Sequence, residues 1–443
     1  MEKKARIIAS LDHFLDDQQQ KLLADALQET PPVSIRIHPL KKFFPENEKQ
    51  VSWCSLGYYL SERPVFTRDP LFHAGCYYPQ EASSMFLYHV LSEILPENPV
   101  RILDLCAAPG GKTTLAATLL RENDLLIANE IERPRCSVLR ENVLKYGDPR
   151  VYVTNNAPEN FSALEGFFDI IIVDAPCSGE GMIRKDPRAL EEWSETNVRT
   201  CTVRQHDILQ KIWPALKEGG VLVYSTCTYN TDENEKQIEN WISNHSAENI
   251  ELNVPDEWNI TKTKAGDVSC YRFFPHKTRG EGFFLSALRK TETCNDHYIR
   301  KKDMVSPTRE KEIAEWVLPQ WQKFLIRNGD SIVLQTHSTE IVRLKKHLRF
   351  ALESYPVAVK KGKDIIPQPE FAMNIALNPD AFQSLELGQD EALRFLKTED
   401  ISTQGKPGWN LITYKQTPLG WIKQLQQRSN NYFPKEWKIR MEL

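Results

Sequence analysis

Two cysteines and one aspartate follow hydrophobic segments of the sequence and could do chemistry together. The segment 168–181 reads FDIIIVDAPCSGEG, in which a run of branched apolar residues leads to Asp174 and Cys177. The segment 221–229 reads VLVYSTCTY and contains Cys227. Apolar runs without polar alternation are typical of strands in a parallel sheet that is covered on both faces. Because ligands bind at the carboxyl ends of such strands, we expect both thiols at one edge of a cleft.

A turn of small residues follows an earlier predicted strand, in the segment DLCAAPGGKTT at 104–114. Small residues let a ligand approach the backbone, and free amides at the start of the next helix attract negative groups. The turn is not a Walker loop, because Cys106 occupies the position of the first glycine of that motif, and GxGxxG is absent as well. The turn therefore suits a compact negative group, such as the carboxylate of an amino acid.

Glu130 ends the next predicted strand and adds a second feature of the same ligand. A carboxylate at this position can accept hydrogen bonds from both hydroxyls of a ribose. A nucleoside attached to an amino acid is S-adenosylmethionine, a methyl donor. With Asp174 at the end of a third strand, the sequence predicts that this cofactor binds beside the two cysteines.

Two thiols and an acid beside a methyl donor suit methylation at carbon 5 of a pyrimidine. Carbon 5 becomes nucleophilic only after a thiolate has added to carbon 6. Asp174 can then hydrogen bond the ring nitrogen and the amino group of a cytosine. The base must be extruded or single stranded, because stacking hides its face. These considerations leave open whether Cys177 or Cys227 is the nucleophile.

The elements that must position these residues alternate between strands and helices. Such alternation predicts βαβ units and a parallel sheet, hence an α/β fold. The segment 268–289 is predicted to be an antiparallel pair at the sheet edge. The predicted strands are 101–106, 125–130, 151–156, 169–173 and 221–225, and the predicted helices are 112–123, 133–147, 198–217 and 232–245.

The regions on either side of this alternation predict further units. Apolar residues at helical spacing predict a helix over 8–28, and 33–38 is an extended segment. The predicted division is an N-terminal extension at 1–76, a catalytic domain at 77–290, a linker at 291–312 and a C-terminal module at 313–443.

Composition excludes several classes of protein. The chain has 443 residues, 41% of them hydrophobic and 26% charged, which is typical of a soluble globular protein. The absence of a long apolar window and of a signal peptide predicts a cytoplasmic protein without a membrane segment. The nine cysteines form no CxxC pair and no Cys/His metal spacing, so we expect neither a disulfide framework nor a metal site.

The last part of the chain, 401–443, is basic and aromatic. Seven Lys or Arg residues stand against two Glu residues, together with six Trp, Tyr or Phe residues. This composition is typical of a nucleic-acid contact surface, and equally of a small β-rich domain with an aromatic core and solvated charges. Arg184 and Lys185, after the first thiol, are likewise candidates for RNA phosphate contacts or for solvated loop residues.

Five motifs, in this order, resemble the Sun-type RNA cytosine-5 methyltransferases: YPQEASSM, DLCAAPGGKTT, VDAPCSGEGMIRKDP, YSTCTY and EGFFLSAL. The tail TPLGWIKQLQQRSNNYFPKEWKIR resembles the C-terminal module of the bacterial RsmF group, whose members modify small-subunit ribosomal RNA. The resemblance implies a Rossmann-like, S-adenosylmethionine-dependent methyltransferase. It also implies that the N-terminal extension at 1–76 contacts RNA and that the C-terminal module is a PUA-like RNA-binding module. It implies ribosomal RNA or the small ribosomal subunit as partner. Transfer RNA, or a non-catalytic role in ribosome assembly, are the alternatives.

The resemblance also implies roles for individual residues. Cys227 is then the nucleophile and Cys177 helps to release the methylated product, while Lys112 and Asp174 reach the target base. The cofactor is then held by Glu130, Asp174 and the turn Cys106, Ala107, Ala108, Pro109, Gly110, Gly111 and Lys112.

One departure from the family pattern concerns the adenine. Relatives carry an acid after the third strand, whereas this chain reads NNAP at 155–158, with Ala157 at the aligned position. We therefore expect Asn155 or Asn156 to contact the adenine beside Ala157.

Overall fold

The computed structural model describes residues 2–294, 309–401 and 403–441, and it begins with a small α/β unit. The elements of this unit are α1 (Glu2–Ala9), α2 (Asp17–Ala26), β1 (Val33–Ile37), β2 (Lys49–Val51), β3 (Cys54–Leu60), α3 (Pro70–His73) and β4 (Tyr77–Pro79). The four strands form an antiparallel sheet in the order β2-β3-β1-β4.

The single helix predicted over 8–28 is wrong, because two helices occupy this part of the chain. The Asp16 carboxylate accepts a hydrogen bond from the Gln19 amide at 2.8 Å and so caps the start of α2. An aspartate at this position satisfies an amide that would otherwise lack a partner at the helix start. The apolar periodicity continues across the break, and for that reason it suggested one helix.

The sheet of the predicted catalytic domain, called the catalytic sheet below, comes next along the chain. Its alternation of strands and helices confirms the predicted α/β fold. Its first half contains α4 (Phe86–Ile94), β5 (Arg101–Asp104), α5 (Gly111–Ala117), β6 (Leu125–Asn129), α6 (Arg133–Tyr146), β7 (Val151–Thr154) and β8 (Phe168–Asp174). Its second half contains α7 (Pro187–Glu192), α8 (Glu195–Ile212), β9 (Leu216–Thr226), α9 (Glu235–Asn244), β10 (Ala247–Asn249), β11 (Thr261–Ala265), β12 (Val268–Phe273) and β13 (Phe283–Lys290).

Strands β5 to β9 are parallel in the spatial order β7-β6-β5-β8-β9, and both faces of this sheet are covered. Successive residues of β8 point to opposite faces. Ile170 and Ile172 belong to the core beneath α4, α5 and α6, whereas Ile171 belongs to the core beneath α8 and α9. This burial on both sides explains the uninterrupted apolar run that precedes Asp174.

The antiparallel pair predicted for 268–289 is present as β12 and β13, but its predicted position at the edge is wrong. Strand β13 pairs with β9, and β11 pairs with β12 on the outer side. The sequence of β11, TKTKA, alternates between exposed and half-buried residues before a buried alanine, as an edge strand with one solvated face does.

The C-terminal region contains two further four-stranded sheets. The first has the order β14-β15-β17-β18 and the second β19-β20-β21-β22. The elements are β14 (Leu325–Asn328), β15 (Ser331–Leu334), α10 (Ser338–Leu344), β16 (Phe350–Leu352), β17 (Tyr355–Lys361), β18 (Asp364–Pro367), β19 (Gln383–Glu386), α11 (Gln389–Leu396), β20 (Gly408–Tyr414), β21 (Thr417–Gln424) and β22 (Ser429–Asn431). In the described parts of the chain, no helix is long and apolar enough to cross a bilayer.

One short strand of the C-terminal region leaves it and joins the catalytic sheet. Strand β16 pairs antiparallel with β7, through Phe350 with Thr154 and Leu352 with Val153. The predicted module at 313–443 is thus continuous with the catalytic domain through a shared sheet. Residues 295–308 of the predicted linker lie outside the described residues.

Four of the six aromatic residues of the basic tail lie in the core of the last sheet, and the other two, Trp409 and Tyr432, are half-buried against it. Trp421 is fully buried, and Tyr414, Phe433 and Trp437 are at most 8% exposed. These aromatic side chains are therefore core residues, whereas the basic side chains of the segment stay at the surface, where a nucleic acid could contact them. Lys415, for example, is exposed at the turn between β20 and β21.

Candidate active site

The predicted cofactor turn lies between β5 and α5, over residues 105–110. It crosses the carboxyl edge of the sheet, where the Ala107 amide donates to a carbonyl at the end of β6 at 2.8 Å. Gly110 has a φ of 111°, which side chains disfavour. A Cβ at Gly111 would lie 3.2 Å from the Tyr78 ring, so β4 of the N-terminal unit packs closely against the start of α5.

Two side chains of α6 hold this turn in place. Arg135 donates to the Ala108 carbonyl at 2.9 Å, and Asn142 donates to the Pro109 carbonyl at 2.7 Å. Burial, and then the neighbouring carboxylates, raise the pKa of the Cys106 thiol, so this thiol stays protonated. The backbone of the turn, rather than the Cys106 sulfur, is therefore the part suited to a ligand.

Asp104, at the end of β5, is a candidate that sequence reasoning missed. One carboxylate oxygen, Oδ2, accepts a hydrogen bond from the Thr113 hydroxyl at 2.6 Å, whereas Oδ1 is buried without a partner. Burial raises the pKa of Asp104 to about 7, although the Thr113 bond opposes the shift. Its position in the sequence could have identified it, because Asp104 is the last residue of β5 as Asp174 is the last residue of β8.

Glu130 follows β6 and is 2% exposed. Its Oε1 accepts the Glu132 amide at 3.0 Å, while its Oε2 has no hydrogen bond and lies 3.4 Å from the Arg135 guanidinium. A buried acceptor without a donor costs free energy unless a ligand supplies one. The free oxygens of Asp104 and Glu130 therefore fit a ligand with an ammonium group and ribose hydroxyls.

Asn156, one of the two residues predicted to contact the adenine, makes hydrogen bonds within the protein. Its side-chain amide donates to the Arg349 carbonyl at 3.0 Å, and its side-chain oxygen accepts the Arg349 amide at 2.9 Å. Its backbone amide and carbonyl both bond to the Asn129 side chain. Asn156 therefore docks the segment that leads into β16, and a contact between its side chain and adenine would have to replace these bonds.

The two neighbours of Asn156 also have partners. The Asn155 side chain donates to the carbonyls of Glu130 and Ile131 at 2.7 and 2.9 Å. The Ala157 amide donates to the Asn160 side chain at 3.1 Å. These bonds place Asn155 at the rim beside Glu130.

Lys112 and Asp174 form an ion pair, with 2.8 Å between Nζ and Oδ2. The other carboxylate oxygen of Asp174 accepts the Ser225 hydroxyl at 2.8 Å, because these residues are register partners in β8 and β9. Burial lowers the pKa of Lys112, but Asp174 and, less strongly, Cys227 raise it by a larger amount. Lys112 is thus a charged donor that lies 5.1 Å from the centre of the Phe283 ring.

The two thiols meet beside this ion pair. Cys177 and Cys227 have 3.1 Å between their sulfur atoms, and both are free and partly exposed. The Cys227 amide donates to the Cys177 sulfur at 3.3 Å. The hydrogen bond with Cys227, followed by burial, raises the pKa of Cys177, so Cys177 holds its proton. The predicted juxtaposition of both thiols at one edge is present.

Two segments carry the thiols: the Cys177 segment after β8 and the Cys227 segment after β9. Glycines allow these thiol segments to pack against the start of β13. The Gly181 amide donates to the Cys227 carbonyl at 2.9 Å, and the Gly282 amide donates to the Gly181 carbonyl at 3.2 Å. A Cβ on Gly181 would lie 2.5 Å from the Gly282 carbonyl oxygen. Gly181 and Gly282 are therefore required by close contacts, whereas Gly179 has space around it and is favoured by its φ of 74°.

Arg184, predicted as either a phosphate contact or a solvated loop residue, has a buried side chain in the structure. Its side chain is 4% exposed and forms an ion pair with Glu281, which is buried as well. It also donates to the Gly280 carbonyl at 2.8 Å. Lys185, the other candidate, is exposed.

Arg36 connects the N-terminal unit to the site, and sequence reasoning missed it. This buried guanidinium donates to the Gln80 side chain at 2.8 Å and to the Thr114 hydroxyl of α5 at 2.6 Å. The N-terminal unit thus supports the helix that carries Lys112.

Among the residues that the structure describes, no group of three His, Cys, Asp or Glu side chains could hold a metal ion.

Comparison with known proteins places these features in a family. The model of the 16S rRNA methyltransferase RsmB/F family matches residues 92–289. Models of the N-terminal domain and of the PUA domain of RsmF match residues 5–82 and 382–439. Ribosomal RNA small subunit methyltransferase F of Psychromonas ingrahamii is 32% identical over 415 residues, which cover 87% of this chain and 84% of that relative.

This chain belongs to the RsmF group of the Sun-type RNA methyltransferases. The protein of the same name from Escherichia coli (strain SE11) is 30% identical over 434 residues, which cover 94% of this chain and 87% of the relative. These matches confirm the family that the five motifs indicated, and with it the PUA-type module.

Solved structures confirm the Rossmann-like fold. The structure of NSun6 from Pyrococcus horikoshii with SFG has a TM-score of 0.55 and 21% identity, and the match covers 65% of this chain and 98% of that one. A methyltransferase homologue from the same organism has a TM-score of 0.52 and 26% identity, covering 64% of this chain and 99% of the other.

Proposed function

We propose that this RsmF-group enzyme uses S-adenosylmethionine to methylate carbon 5 of a cytosine in small-subunit ribosomal RNA. The observation that carries the proposal is the thiol pair with 3.1 Å between the sulfurs, next to the Lys112–Asp174 ion pair. The relatives' name, ribosomal RNA small subunit methyltransferase F, supports the substrate class. The NSun6 structure determined with SFG supports the cofactor class.

The cofactor fits the end of the cleft that lies under the turn. Asp104 Oδ1 can accept from its ammonium group, and Glu130 Oε2 can accept from its ribose hydroxyls. The backbone of residues 106–111 borders its amino acid part, and Ile131, 54% exposed beside Glu130, offers the adenine an apolar surface. When bound, the cofactor supplies an electrophilic methyl group on a sulfonium.

Lys112 and Asp174 would hold the target base. The Asp174 carboxylate accepts hydrogen bonds, as the amino group of cytosine requires, and Lys112 donates to the ring nitrogen. As a thiolate adds to carbon 6, negative charge spreads over the ring, and the fixed ammonium of Lys112 stabilises it. Asp174 also keeps Lys112 charged through the 2.8 Å contact.

Cys227 is the better nucleophile of the two cysteines. The Cys227 sulfur interacts electrostatically with Lys112, whereas the hydrogen bond with Cys227, and then burial, raise the pKa of Cys177 and make it the weaker candidate. The Cys227 sulfur bonds to carbon 6, and carbon 5 then takes the methyl group. The carbon 5 proton is lost to water as the bond from carbon 6 to sulfur breaks. Cys177, a thiol near the departing sulfur, can donate a hydrogen bond to it.

The test is a denaturing gel assay for covalent protein–RNA complexes, with small-subunit ribosomal RNA and S-adenosylmethionine. Wild type, Cys177→Ala and Cys227→Ala are compared. We expect a stable adduct with Cys177→Ala and none with Cys227→Ala. The reverse pattern would make Cys177 the nucleophile, and the absence of adducts from every variant would contradict the covalent mechanism on this RNA.

The substrate class needs a second measurement. Transfer of a labelled methyl group into purified small subunits, naked small-subunit ribosomal RNA and total transfer RNA should favour one of the two ribosomal substrates. Transfer that is fastest into transfer RNA would contradict the proposed substrate and leave the chemistry intact.

A further inference from the structure

Each of the two thiol segments carries a glutamate that binds the backbone of the other segment. Glu180 lies after Cys177, and its Oε2 accepts the amides of Tyr229 and Asn230 at 3.0 and 2.7 Å. Glu233 lies after Cys227, and its Oε2 accepts the Ser178 amide at 3.0 Å. Each segment thus donates backbone hydrogen bonds to the glutamate of the other. These bonds hold the residues that follow each cysteine in place.

All four oxygens of these two buried carboxylates have donors. The Oε1 of Glu180 accepts the Trp193 indole N–H at 2.8 Å. The Oε1 of Glu233 accepts the Asn230 side chain at 2.7 Å, and its Oε2 also accepts Gln205 at 2.8 Å. Glu180 is 2% exposed and Glu233 is fully buried, so these hydrogen bonds to charged acceptors are strong.

A bridge of hydroxyl groups joins the same two segments at their centre. The oxygens of Ser178 and Thr228, each directly after a cysteine, lie 2.9 Å apart. The Asn230 side chain donates to the Thr228 hydroxyl at 2.9 Å. The backbones that carry the thiols therefore cannot move independently without breaking several buried hydrogen bonds.

We propose that Glu180 and Glu233 are positioning residues that set the distance between the two thiols. Glu180 fixes the Cys227 segment, and Glu233 fixes the Cys177 segment. The inference rests on the proposed function, in which Cys227 bonds to the base and Cys177 assists its release. Both sulfurs must then reach one adduct, and misplacement by about 1 Å can cost about 100-fold in rate.

The reciprocal arrangement predicts opposite kinetic defects for the two glutamates. In Glu233→Gln the Ser178 amide loses its charged acceptor, so Cys177 is displaced while Cys227 still attacks. In Glu180→Gln the Tyr229 and Asn230 amides lose theirs, so Cys227 itself is displaced. A purely structural role would lower the stability of both variants without changing the ratio of adduct to product.

The experiment measures the rate of adduct formation, the steady-state adduct level and methyl transfer with the full-length enzyme. We expect Glu233→Gln to form the adduct at the wild-type rate, to accumulate it to the level of Cys177→Ala, and to turn over at least about 10-fold more slowly. We expect Glu180→Gln to form the adduct at least about 10-fold more slowly and not to accumulate it.

The matched control is Asp124→Asn. Asp124 is another fully buried carboxylate that accepts backbone amides, from Val100 at 2.9 Å and Arg121 at 2.7 Å, but it lies at the amino edge of the sheet. This variant should be destabilised and keep the wild-type ratio of adduct to product. If Glu233→Gln does not fold, Ser178→Ala provides a second variant. It removes the hydroxyl bridge and the 3.3 Å hydrogen bond from the Asn230 side chain but keeps the Ser178 amide. It should show the same accumulation to a smaller extent.

The outcomes separate this inference from the function on which it rests. Equal adduct ratios in Glu233→Gln, Glu180→Gln and Asp124→Asn would overturn the positioning role, provided that Cys177→Ala still traps an adduct. If Cys177→Ala traps none, the proposed covalent mechanism itself fails, and the positioning role fails with it.

Discussion

The buried carboxylates at the two ends of the proposed active site differ in their hydrogen bonding. At the proposed cofactor end, Asp104 Oδ1 and Glu130 Oε2 have no hydrogen-bond partner. At the thiol end, every oxygen of Glu180 and Glu233 has a donor from the protein. Both ends lie at the carboxyl edge of one parallel sheet, so their difference is not a matter of depth or of strand geometry.

This difference corresponds to two kinds of work. A buried acceptor without a donor costs about 1–3 kcal/mol, and a ligand that supplies the donor recovers that free energy on binding. A carboxylate with all its donors instead holds the backbone in one conformation before any ligand arrives. A ligand can thus supply the missing hydrogen-bond donors at the proposed cofactor end. The thiol end already has all its donors and is held in place without a ligand.

The largest effect should come from removing the nucleophile at the thiol end. Cys227→Ser should lower methyl transfer by more than about 1000-fold, because a hydroxyl is a far weaker nucleophile than a thiolate at neutral pH. Cofactor affinity, measured by calorimetry, should stay within about 2-fold of wild type if the two ends are independent. Methyl transfer at the wild-type rate would remove Cys227 from its proposed role.

At the proposed cofactor end, Glu130→Gln should weaken cofactor binding by about 10–100-fold, because it replaces a charged acceptor for the ribose hydroxyls. Calorimetry with S-adenosylmethionine measures the change. Glu132→Gln, at an exposed position two residues away, is the matched control and should bind normally. Equal affinities of both variants would show that Glu130 does not contact the cofactor.

Ionisation of Asp104 with rising pH should lower the stability of the folded state and raise the affinity for the cofactor. Its pKa is raised to about 7, so protonation stabilises the folded state, and this stabilisation is lost as the pH rises through 7. Unfolding by urea should show a loss of about 1 kcal/mol between pH 6 and 8. Cofactor affinity should rise over the same range, because the ionised carboxylate accepts the ammonium group.

Asp104→Asn is the control for that experiment, since it cannot titrate. It should remove this contribution from both pH profiles. Profiles that match those of wild type would mean that another group titrates in this range.

The smallest effect should come from a region outside both ends. Lys415→Gln, at the exposed turn between β20 and β21, should weaken RNA binding by about 2–5-fold and reduce the salt dependence by one phosphate contact. Lys363→Gln, at an exposed turn in the other C-terminal sheet, is the matched control. Equal RNA affinities of the two variants would exclude the Lys415 turn from the RNA surface.

Much of the fold followed from local patterns. The apolar run before Asp174 predicted a doubly buried strand over 169–173, and β8 spans Phe168–Asp174. The helix predicted over 112–123 is shorter, since α5 spans Gly111–Ala117. Ends of elements depend on capping bonds and tertiary contacts as well as on periodicity, and for this reason the two N-terminal helices were predicted as one.

The candidate site was predictable where chemistry and strand ends coincide, and less so where distant segments meet. The sequence alone determined that Cys177, Cys227 and Asp174 belong to one edge of an α/β sheet, because residue type and burial pattern are local properties. The family resemblance added Lys112. Only the tertiary structure decided that Asn156 binds Arg349, 193 residues away, and that Asp104 Oδ1 is left free. A hydrogen bond depends on which atoms face each other after packing, and neighbouring residues in the chain do not specify that partner.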